Sequence, residues 1–535
     1  MASLQLITSA AYVNQELVAE FGQIPPAFLP MGTARLYEMQ VAHLKSSDLI
    51  HLTIPASFQP QPHDMTRLKA LGILLVPVPD ELCLGESIVY ALNYVGAPHG
   101  PVTILHGDTL IEDVPAEAVD AIASHGEGDD YSWAAIDLED GGVIGLEVIA
   151  PGTGHEEGRP IACGYFTLGS TTLLIRSITR ARGDFIKGLN LYAQERSLRA
   201  VPVTRWRDFG HIQSYFRSRR QINTARNFNT VQIGPRIVRK TSRDGEKMTA
   251  EASWFRNLPP EIQPYSARFL GDGQDENGLF YNTEYQYAPT LSELFVFSSI
   301  GRPTWRNILQ SCQEFLDACA GRSGPGSGDA ALAELAVDKT LARLERYARE
   351  TGFDIDRPTR LDGRPLPSLL RIVEETVALI DLRSGRPETV MHGDFCFSNI
   401  LYNSRAGRIS VIDPRGYVRQ GVPSQFGDLR YDLAKLSHSI AGCYDHIIAG
   451  RYNLRQDDTY SFEILFETNT HHAWLQRALA ELRVGSVVSS SSEVRALTTG
   501  LFLSMLPLHA DRPERQRAFI ASSLRLYSEL DKAAL

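Results

Sequence analysis

Short apolar runs alternate with amphipathic stretches through the first part of the chain. "LQLIT" (Leu4–Thr8), "DLIHLTI", "GILLVPV" and "PVTILHGD" have the length and β-branched content of buried strands. Between them, "RLYEMQVAHL" and "ESIVYALNYV" carry apolar residues at helical spacing. Strands alternating with helices predict a mostly parallel sheet in a doubly wound α/β domain, Rossmann-like in layout. "TRWRDFGHIQSYFRSRRQ" then reads as a strand end followed by a helix.

The pattern changes near residue 225. "NTVQIGPRIVRKTS" predicts two strands joined by a Gly-Pro turn. The helix "KMTAEASWFRNL" and the strand "LFYNTEYQYAP" follow. "TLSELFVF" opens a helix, with Thr290 and Glu293 spaced as a capping box. The remainder reads as mostly helical apart from "VIDPRG". "AGRSGPGSGDA" and "SVVSSSSEV" read as loops. These features predict a domain over 1–225 and a second, α+β domain over 226–535. The second divides into a sheet-bearing lobe to about 300 and a helical lobe from about 301.

Composition narrows the class. The 535 residues are 43% hydrophobic and 22% charged, enough apolar content for two cores. A net charge of −10 argues against a general nucleic-acid or anionic-membrane binder. Six scattered cysteines without a CxxC argue against a disulfide framework or a zinc site. The N-terminus lacks a basic signal-peptide region, and no apolar run reaches membrane-spanning length, so the expected location is cytoplasmic. A homo-oligomer stays open.

The chemistry concentrates in "HGDFCFSNIL" (His392–Leu401) and "ISVIDPRG". Asp394 and Asn399 have the Asp-x-x-x-x-Asn spacing of a kinase catalytic loop. Transfer of a phosphoryl group from ATP needs an oriented acceptor hydroxyl, Mg²⁺ on the phosphates and a steadying cation. On that pattern Asp394 is the base, Asn399 a metal ligand, and Asp413, at the end of a short strand, the second metal ligand. Lys240 ends "RIVRK", where a kinase places its phosphate-binding lysine, and Glu251 on the next helix is its expected ion-pair partner. "EYQYAP", with Glu284, Gln286 and Tyr287, falls where a hinge would present backbone groups to adenine. "ARNFN" falls where a loop would cover the phosphates, but it is not Gly-rich.

From about Arg226 to the C-terminus, these motifs and "GDLRYDLAKL" resemble the aminoglycoside phosphotransferase and choline kinase family. The resemblance implies the same roles for Asp394, Asn399 and Asp413. It implies a mainly structural place for Asp428 to Ala434, beneath the catalytic loop. The chain departs from the family at "DPRG" and in lacking a Gly-rich loop, which leaves the acceptor open. Arg415 is a candidate contact for a phosphate or an anionic substrate. Cys396 reads as packing. His471 and His472, adjacent on a helix, point in different directions and make a poor metal pair.

In the first domain, "ILHGDTL" puts Asp108 at a strand end and "WRDFG" puts Asp208 in a second turn. Two such carboxylates can hold one Mg²⁺ against a nucleotide's phosphates. Over residues 4 to 225, these segments, "LGESIVYAL" and "IPPAFLPMG" resemble the sugar-phosphate nucleotidyltransferases. The resemblance implies that Asp108 and Asp208 bind the metal and that the segment starting at Gly85 contacts base and sugar. CTP, UTP and GTP are the open choices there. The signature loop departs: it is "TSAAYVNQELVAEFGQIPP", Pro26 stands where the family has Lys, and no Lys or Arg precedes Arg35. Arg217 to Arg220 could supply charge but read more simply as a solvated helix face.

Together these readings imply a bifunctional enzyme. An ATP- and Mg²⁺-dependent kinase for a sugar, polyol or amino alcohol is joined to a nucleotidyltransferase-like domain, as in bacterial surface polysaccharide precursor synthesis. The alternative is an active kinase beside a non-catalytic, nucleotide-sugar-binding first domain. Antibiotic inactivation is a weaker third reading, because it gives the first domain no task.

Overall fold

The computed structural model describes residues 4–44, 49–96, 99–115, 118–126, 131–152, 159–222, 229–468 and 470–530. The chain forms two compact units. One comprises Met1–Arg219 with Phe297–Ser299, and the other Arg220–Val296 with Ile300–Leu535. The expected boundary at 225, and all of "ARNFN" but its last residue, lie outside the described residues.

The first unit is built on a nine-stranded sheet. The strands Ile73–Val78, Leu49–Pro55, Leu4–Thr8 and Val102–His106 lie side by side and parallel. Adjacent side chains on each strand point to opposite faces. Leu6, Ile104 and Ile122 therefore join one apolar core, with Ile88, Leu92, Leu174 and Ile178 from helices on that face. Ile7, Leu105 and Ala123 join a second core with Tyr37 and Leu68. Helices thus cover both faces, as a doubly wound domain requires.

The expectation of a mostly parallel sheet fails beyond the fourth strand. Ile161–Leu168 runs antiparallel to both of its main neighbours, Val102–His106 and Ala121–His125. Arg199–Pro202 returns parallel to Ala121–His125. A hairpin of Trp133–Glu139 and Gly142–Ile149 completes the edge. Its two-residue turn, Asp140-Gly141, has positive φ at both positions (49° and 78°), which matches the twist of paired strands. A hairpin connection permits only antiparallel pairing, so this half of the sheet is mixed.

The second unit begins with a four-stranded antiparallel sheet in the order Asn229–Ile233, Ile237–Ser242, Gly278–Glu284, Phe269–Asp275. The helix Gly245–Arg256 follows the second strand, capped by Asp244. Thr290 and Glu293 form the expected reciprocal cap of the helix Leu291–Phe297, with bonds of 3.0 to 3.2 Å. The helices Arg302–Ala320, Leu429–Ile440, Ser492–Ser504 and Pro513–Ser528 make up most of the remainder.

More strands occur here than the sequence suggested. "AGRSGPGSGDA" contains the strand Ser323–Ser327, which pairs with Pro387–Val390. Gly324 lies against the Phe426 ring and Gly326 against Glu388, so the glycines allow a close approach rather than a loose loop. In "SVVSSSSEV", Val487–Val488 closes a hairpin with Arg483–Val484, and Ser491 caps the next helix. Asn453–Asp458 and Ser461–Leu465 form a further hairpin. No helix among the described residues is long and apolar enough to cross a membrane.

Candidate functional sites

In the second unit, one hairpin joins the two separated motifs. Ile400–Asn403 pairs with Arg408–Val411, and the Ile412 amide donates to the Asn399 carbonyl at 3.0 Å. Asn399 and Asp413 are thereby brought to one end of the hairpin. Asp413 adopts φ 54°, a left-handed backbone that is uncommon for a non-glycine residue and gathers at functional sites. The next turn needs Gly416: a Cβ there would sit 2.3 Å from the Ala250 carbonyl oxygen. The loop after Asp413 is thus packed directly on the helix that carries Glu251. Trp254 of the same helix donates its indole N–H to the Met391 carbonyl at 2.8 Å.

Lys240 and Glu251 are 4% and 2% exposed and pair at 2.8 Å. Lys240 Nζ also stands 3.2 Å from Asp413 Oδ1. The Tyr281 hydroxyl donates to Glu251 at 2.9 Å. Burial works to lower the Lys240 pKa, but Asp413 and Glu251 outweigh it and hold the ammonium charged. The geometry brings together Lys240, Glu251 and Asp413, which the sequence placed 173 positions apart at the extremes (413 − 240).

Asp394 is held from two sides. Asn399 Nδ2 donates to its carboxylate at 2.9 Å and to its backbone carbonyl at 3.0 Å. Lys435 Nζ pairs with the other carboxylate oxygen at 2.9 Å. Burial alone would raise the Asp394 carboxyl; the Lys435 ammonium overrides it and holds the group well below the usual carboxylate range. Beneath this loop Asp432 accepts the amides of His392 and Gly393 at 2.7 and 2.8 Å. Burial pushes Asp432 up to about 7 against those two bonds. Asp428 is tied to Arg430, which also pairs with Asp329 and Glu493. Asp428 to Ala434 therefore scaffolds the loop.

Lys435 was not singled out from the sequence, although a signal was present. It lies three residues after Asp432 on one helix, and that spacing puts both on the same face. The Glu284 amide is spent on Arg268 and the Tyr285 amide on Arg236, at 2.8 and 2.9 Å, and the Gln286 carbonyl accepts from Ala288. The Tyr287 hydroxyl donates to the Pro235 carbonyl at 2.5 Å. Cys396 is buried, with its thiol pushed up to about 12 by burial, which makes it inert packing. The His471 and His472 rings lie at 80° to each other: His472 packs on Phe295 and His446, and His471 on Trp305 and Trp474.

Magnesium asks for hard oxygen donors. The Asp413 carboxylate supplies them. So does the Asn399 side-chain carbonyl, whose amide nitrogen is already turned to Asp394. The donor set fits that ion.

In the first unit, Trp206–Asp208 pairs antiparallel with Thr109–Ile111, placing Asp208 opposite Thr109. The Phe209 amide donates to the Asp108 carbonyl at 2.8 Å. A Cβ on Gly210 would lie 2.8 Å from Asp108 Oδ2 and 3.3 Å from Asp208 Oδ1, so both carboxylates converge beside this glycine. Burial and then the Asp208 charge raise Asp108 to about 6. Asp208 Oδ2 is buried without a hydrogen-bond partner, and His211 Nδ1 stands 3.9 Å from it. An orphaned carboxylate oxygen beside a second carboxylate fits a divalent cation.

The basic side chains near this pair are engaged elsewhere or exposed. Arg35 is buried in a pair with Asp64 at 2.9 Å and donates to the Phe28 carbonyl. Arg207 pairs with Glu112. Arg217 is exposed, and Arg219 and Arg220 are half-buried. The signature loop is closed by neutral groups: the Ser9 hydroxyl accepts the Ala27 amide at 3.0 Å, and Asn14 Nδ2 donates to the Gly210 carbonyl at 2.9 Å. Pro26 opens a short 3₁₀ turn. Gly85 lies within the helix Leu84–Tyr94, where a Cβ would meet the Gly183 carbonyl at 2.2 Å. Packing alone thus demands glycine there.

No family model and no curated protein matches the sequence. Among solved structures, the chain is similar to the UTP-bound UGPase of Acinetobacter baumannii, at 12% identity over 41% of this chain and 92% of that one, with a TM-score of 0.32. It is similar to HddC from Yersinia pseudotuberculosis at 18% identity over 42% and 100%, TM-score 0.31. It is also similar to a thermostable mutant of the aminoglycoside phosphotransferase APH(4)-Ia, in complex with AMP-PNP and hygromycin B, at 16% identity over 57% and 92%, TM-score 0.36. These neighbours fall into the two groups that the motifs resemble, nucleotidyltransferases and aminoglycoside phosphotransferases.

Proposed function

We propose that the second unit transfers the terminal phosphoryl group of ATP to a hydroxyl of a small molecule. The observation that carries this reading is the array of Lys240, Glu251, Asp413, Asn399 and Asp394, assembled from both lobes with ion-pair and hydrogen-bond distances of 2.8 to 3.2 Å. Lys240, fixed by Glu251, steadies the phosphates. Asn399 and Asp413 hold Mg²⁺, which when bound neutralises charge on the phosphate oxygens. Asp394 accepts a hydrogen bond from the acceptor hydroxyl. With its pKa held low, it orients the hydroxyl along the line of attack more than it removes the proton early. That suits a loose phosphoryl-transfer transition state, where positioning and electrostatics matter most.

The first unit is nucleotidyltransferase-like, with Asp108 and Asp208 as its metal pair. A kinase makes a phosphomonoester, and a nucleotidyltransferase couples such an ester to a nucleotide. The natural setting for the pair is synthesis of activated precursors, as for a bacterial surface polysaccharide. A second reading is favoured by one observation: the signature loop carries two acids, Glu16 and Glu20, and no Lys or Arg, and Arg35 is committed to Asp64. A leaving pyrophosphate needs cations beyond one metal. On that reading the unit binds a nucleotide conjugate without turnover.

Phosphorus NMR tests both. Full-length protein, Mg²⁺ and ATP are incubated with pooled acceptors, then with CTP, UTP or GTP. A new phosphomonoester is expected. Its conversion to a diphosphate diester by one triphosphate supports two activities, and a phosphomonoester that goes no further supports the binding role. ATP left intact with every acceptor would remove the kinase reading.

A further inference from the structure

Beside Asp394 the second unit gathers more positive charge than its own acids balance. Lys339 and Arg343 lie one turn apart on the helix Lys339–Thr351 and so share a face. This helix is entered through a π-helical segment, Ala333–Asp338, a rare geometry that recurs at functional sites. Arg415 comes from the loop after Asp413. Its backbone amide donates to the His392 carbonyl at 2.8 Å, and its side chain lies over Gly393, where a Cβ would be 2.7 Å from the Arg415 Cβ. The guanidinium sits 5.0 Å from the Tyr417 ring centroid, and its Nε is buried without a hydrogen-bond partner.

The members of this group act on one another electrostatically. Beyond burial, the groups that weigh most on Lys339 are Arg415, Arg343 and Lys435, opposed by Asp394. Burial and then Arg415 lower Arg343 as well. Lys435 is already paired with Asp394. Arg343 donates to a neutral group, the Ser504 carbonyl, at 3.0 Å. The acids on the preceding segment do not compensate: Glu334 pairs with Arg419 at 3.2 Å, and Asp338 is exposed. Among the described residues, no carboxylate stands within ion-pair distance of Lys339, Arg343 or Arg415.

Like charges crowded in a partly dry site repel, and their joint presence needs an anion to offset it. The fork of an arginine and the point charge of a lysine together suit a compact oxyanion. We infer that the hydroxyl acceptor itself carries an oxyanion, a phosphomonoester or a carboxylate, received by Lys339, Arg343 and Arg415 while its hydroxyl faces Asp394. This rests on the kinase reading, and it excludes polycationic acceptors, which the cluster would repel.

The test separates the two claims. Full-length protein saturated with Mg²⁺ and AMP-PNP is titrated calorimetrically with inorganic phosphate, and the same titration is run without nucleotide. Phosphate should bind the nucleotide-loaded protein. The double variant Lys339→Gln, Arg343→Gln should lose at least tenfold in phosphate affinity, while AMP-PNP affinity stays within twofold and reports an intact fold. Phosphate affinity that is unchanged in the variant overturns the inference. So does phosphate binding confined to the nucleotide-free protein, which would assign the cations to the nucleotide. Failure to bind AMP-PNP removes the kinase reading on its own, and the nucleotide-free phosphate titration still decides whether the cluster is an anion site. A second arm compares turnover of ribose 5-phosphate with ribose, and of gluconate with glucose. Preference for either anion identifies phosphate or carboxylate as the group received, and preference for both neutral parents overturns the inference with the kinase intact.

Discussion

The two candidate sites each centre on partly buried acids, and they solve the charge problem in opposite ways. Asp394 is compensated within the fold: Lys435 pairs with it, Asn399 donates to it, and its carboxyl is held well below the usual range. Asp108 and Asp208 converge beside Gly210, with His211 Nδ1 3.9 Å from Asp208, and burial and then the Asp208 charge raise Asp108 to about 6. A site that orients a hydroxyl must be ionised and rigid before the substrate arrives. A site that holds a metal can leave its acids uncompensated until the ion binds. The difference teaches that one acid is balanced by an ammonium inside the fold, while the other pair leaves a carboxylate oxygen of Asp208 buried without a hydrogen-bond partner.

The largest break in this comparison comes from Asp394. Replacing it with Ala should reduce phosphoryl transfer by about 10³-fold. Because Ala would leave Lys435 buried and unpaired, Asp394→Asn is the companion variant, and circular dichroism monitors the fold. Turnover retained in the Asn variant would remove Asp394 from the reaction.

Lys435→Met asks whether compensation is what makes the site work. Without the ammonium, burial meets only the weaker pull of His392 and Arg415, and Asp394 rises. The acid limb of the kcat/KM profile should then move to higher pH, with kcat lower by about 10²-fold through lost positioning. A lower kcat with an unmoved acid limb would make Lys435 a packing residue only.

Local patterns carried most of what the sequence reveals. Asp394 and Asn399 lie five residues apart in one loop, and Lys240 and Glu251 on consecutive elements, so spacing alone proposes them. Asp413 is legible because a short apolar strand leads into it. Lys435 was missed because its role depends on how a helix docks beneath a loop, and a lysine on a helix face is usually solvated. The cationic cluster was less visible still: Arg415 stands out in "DPRG", but Lys339 and Arg343 lie far away in a charged helix with ordinary spacing. In the first unit, the parallel strands could be read from their apolar runs. The mixed half could not, because the antiparallel course of Ile161–Leu168 is set by tertiary pairing rather than by its own residues. Glycine misled in "AGRSGPGSGDA", where a composition typical of loops serves close packing against Phe426 and Glu388.

The smallest expected effect sharpens the comparison from the other side. Asp108 is raised from 3.8 to about 6 in the folded unit, so between those values the native state holds a proton that the unfolded chain has released. Stability from this group is therefore full at low pH and falls as pH rises from about 4 to about 6. Asp108→Asn should remove that penalty. At pH 8 the variant should be more stable than the parent by on the order of 1 kcal/mol, discounted for a half-exposed side chain, and at pH 4 the two should coincide. Mg²⁺ should reverse the order at pH 8, because only the parent keeps both carboxylates to bind the ion and gains stability through that binding. Thermal unfolding of the full chain at both pH values, with and without Mg²⁺, reads all four conditions. A variant advantage equal at pH 4 and pH 8 would show that neither burial nor the Asp208 charge raises Asp108, and the contrast with the compensated Asp394 would then collapse.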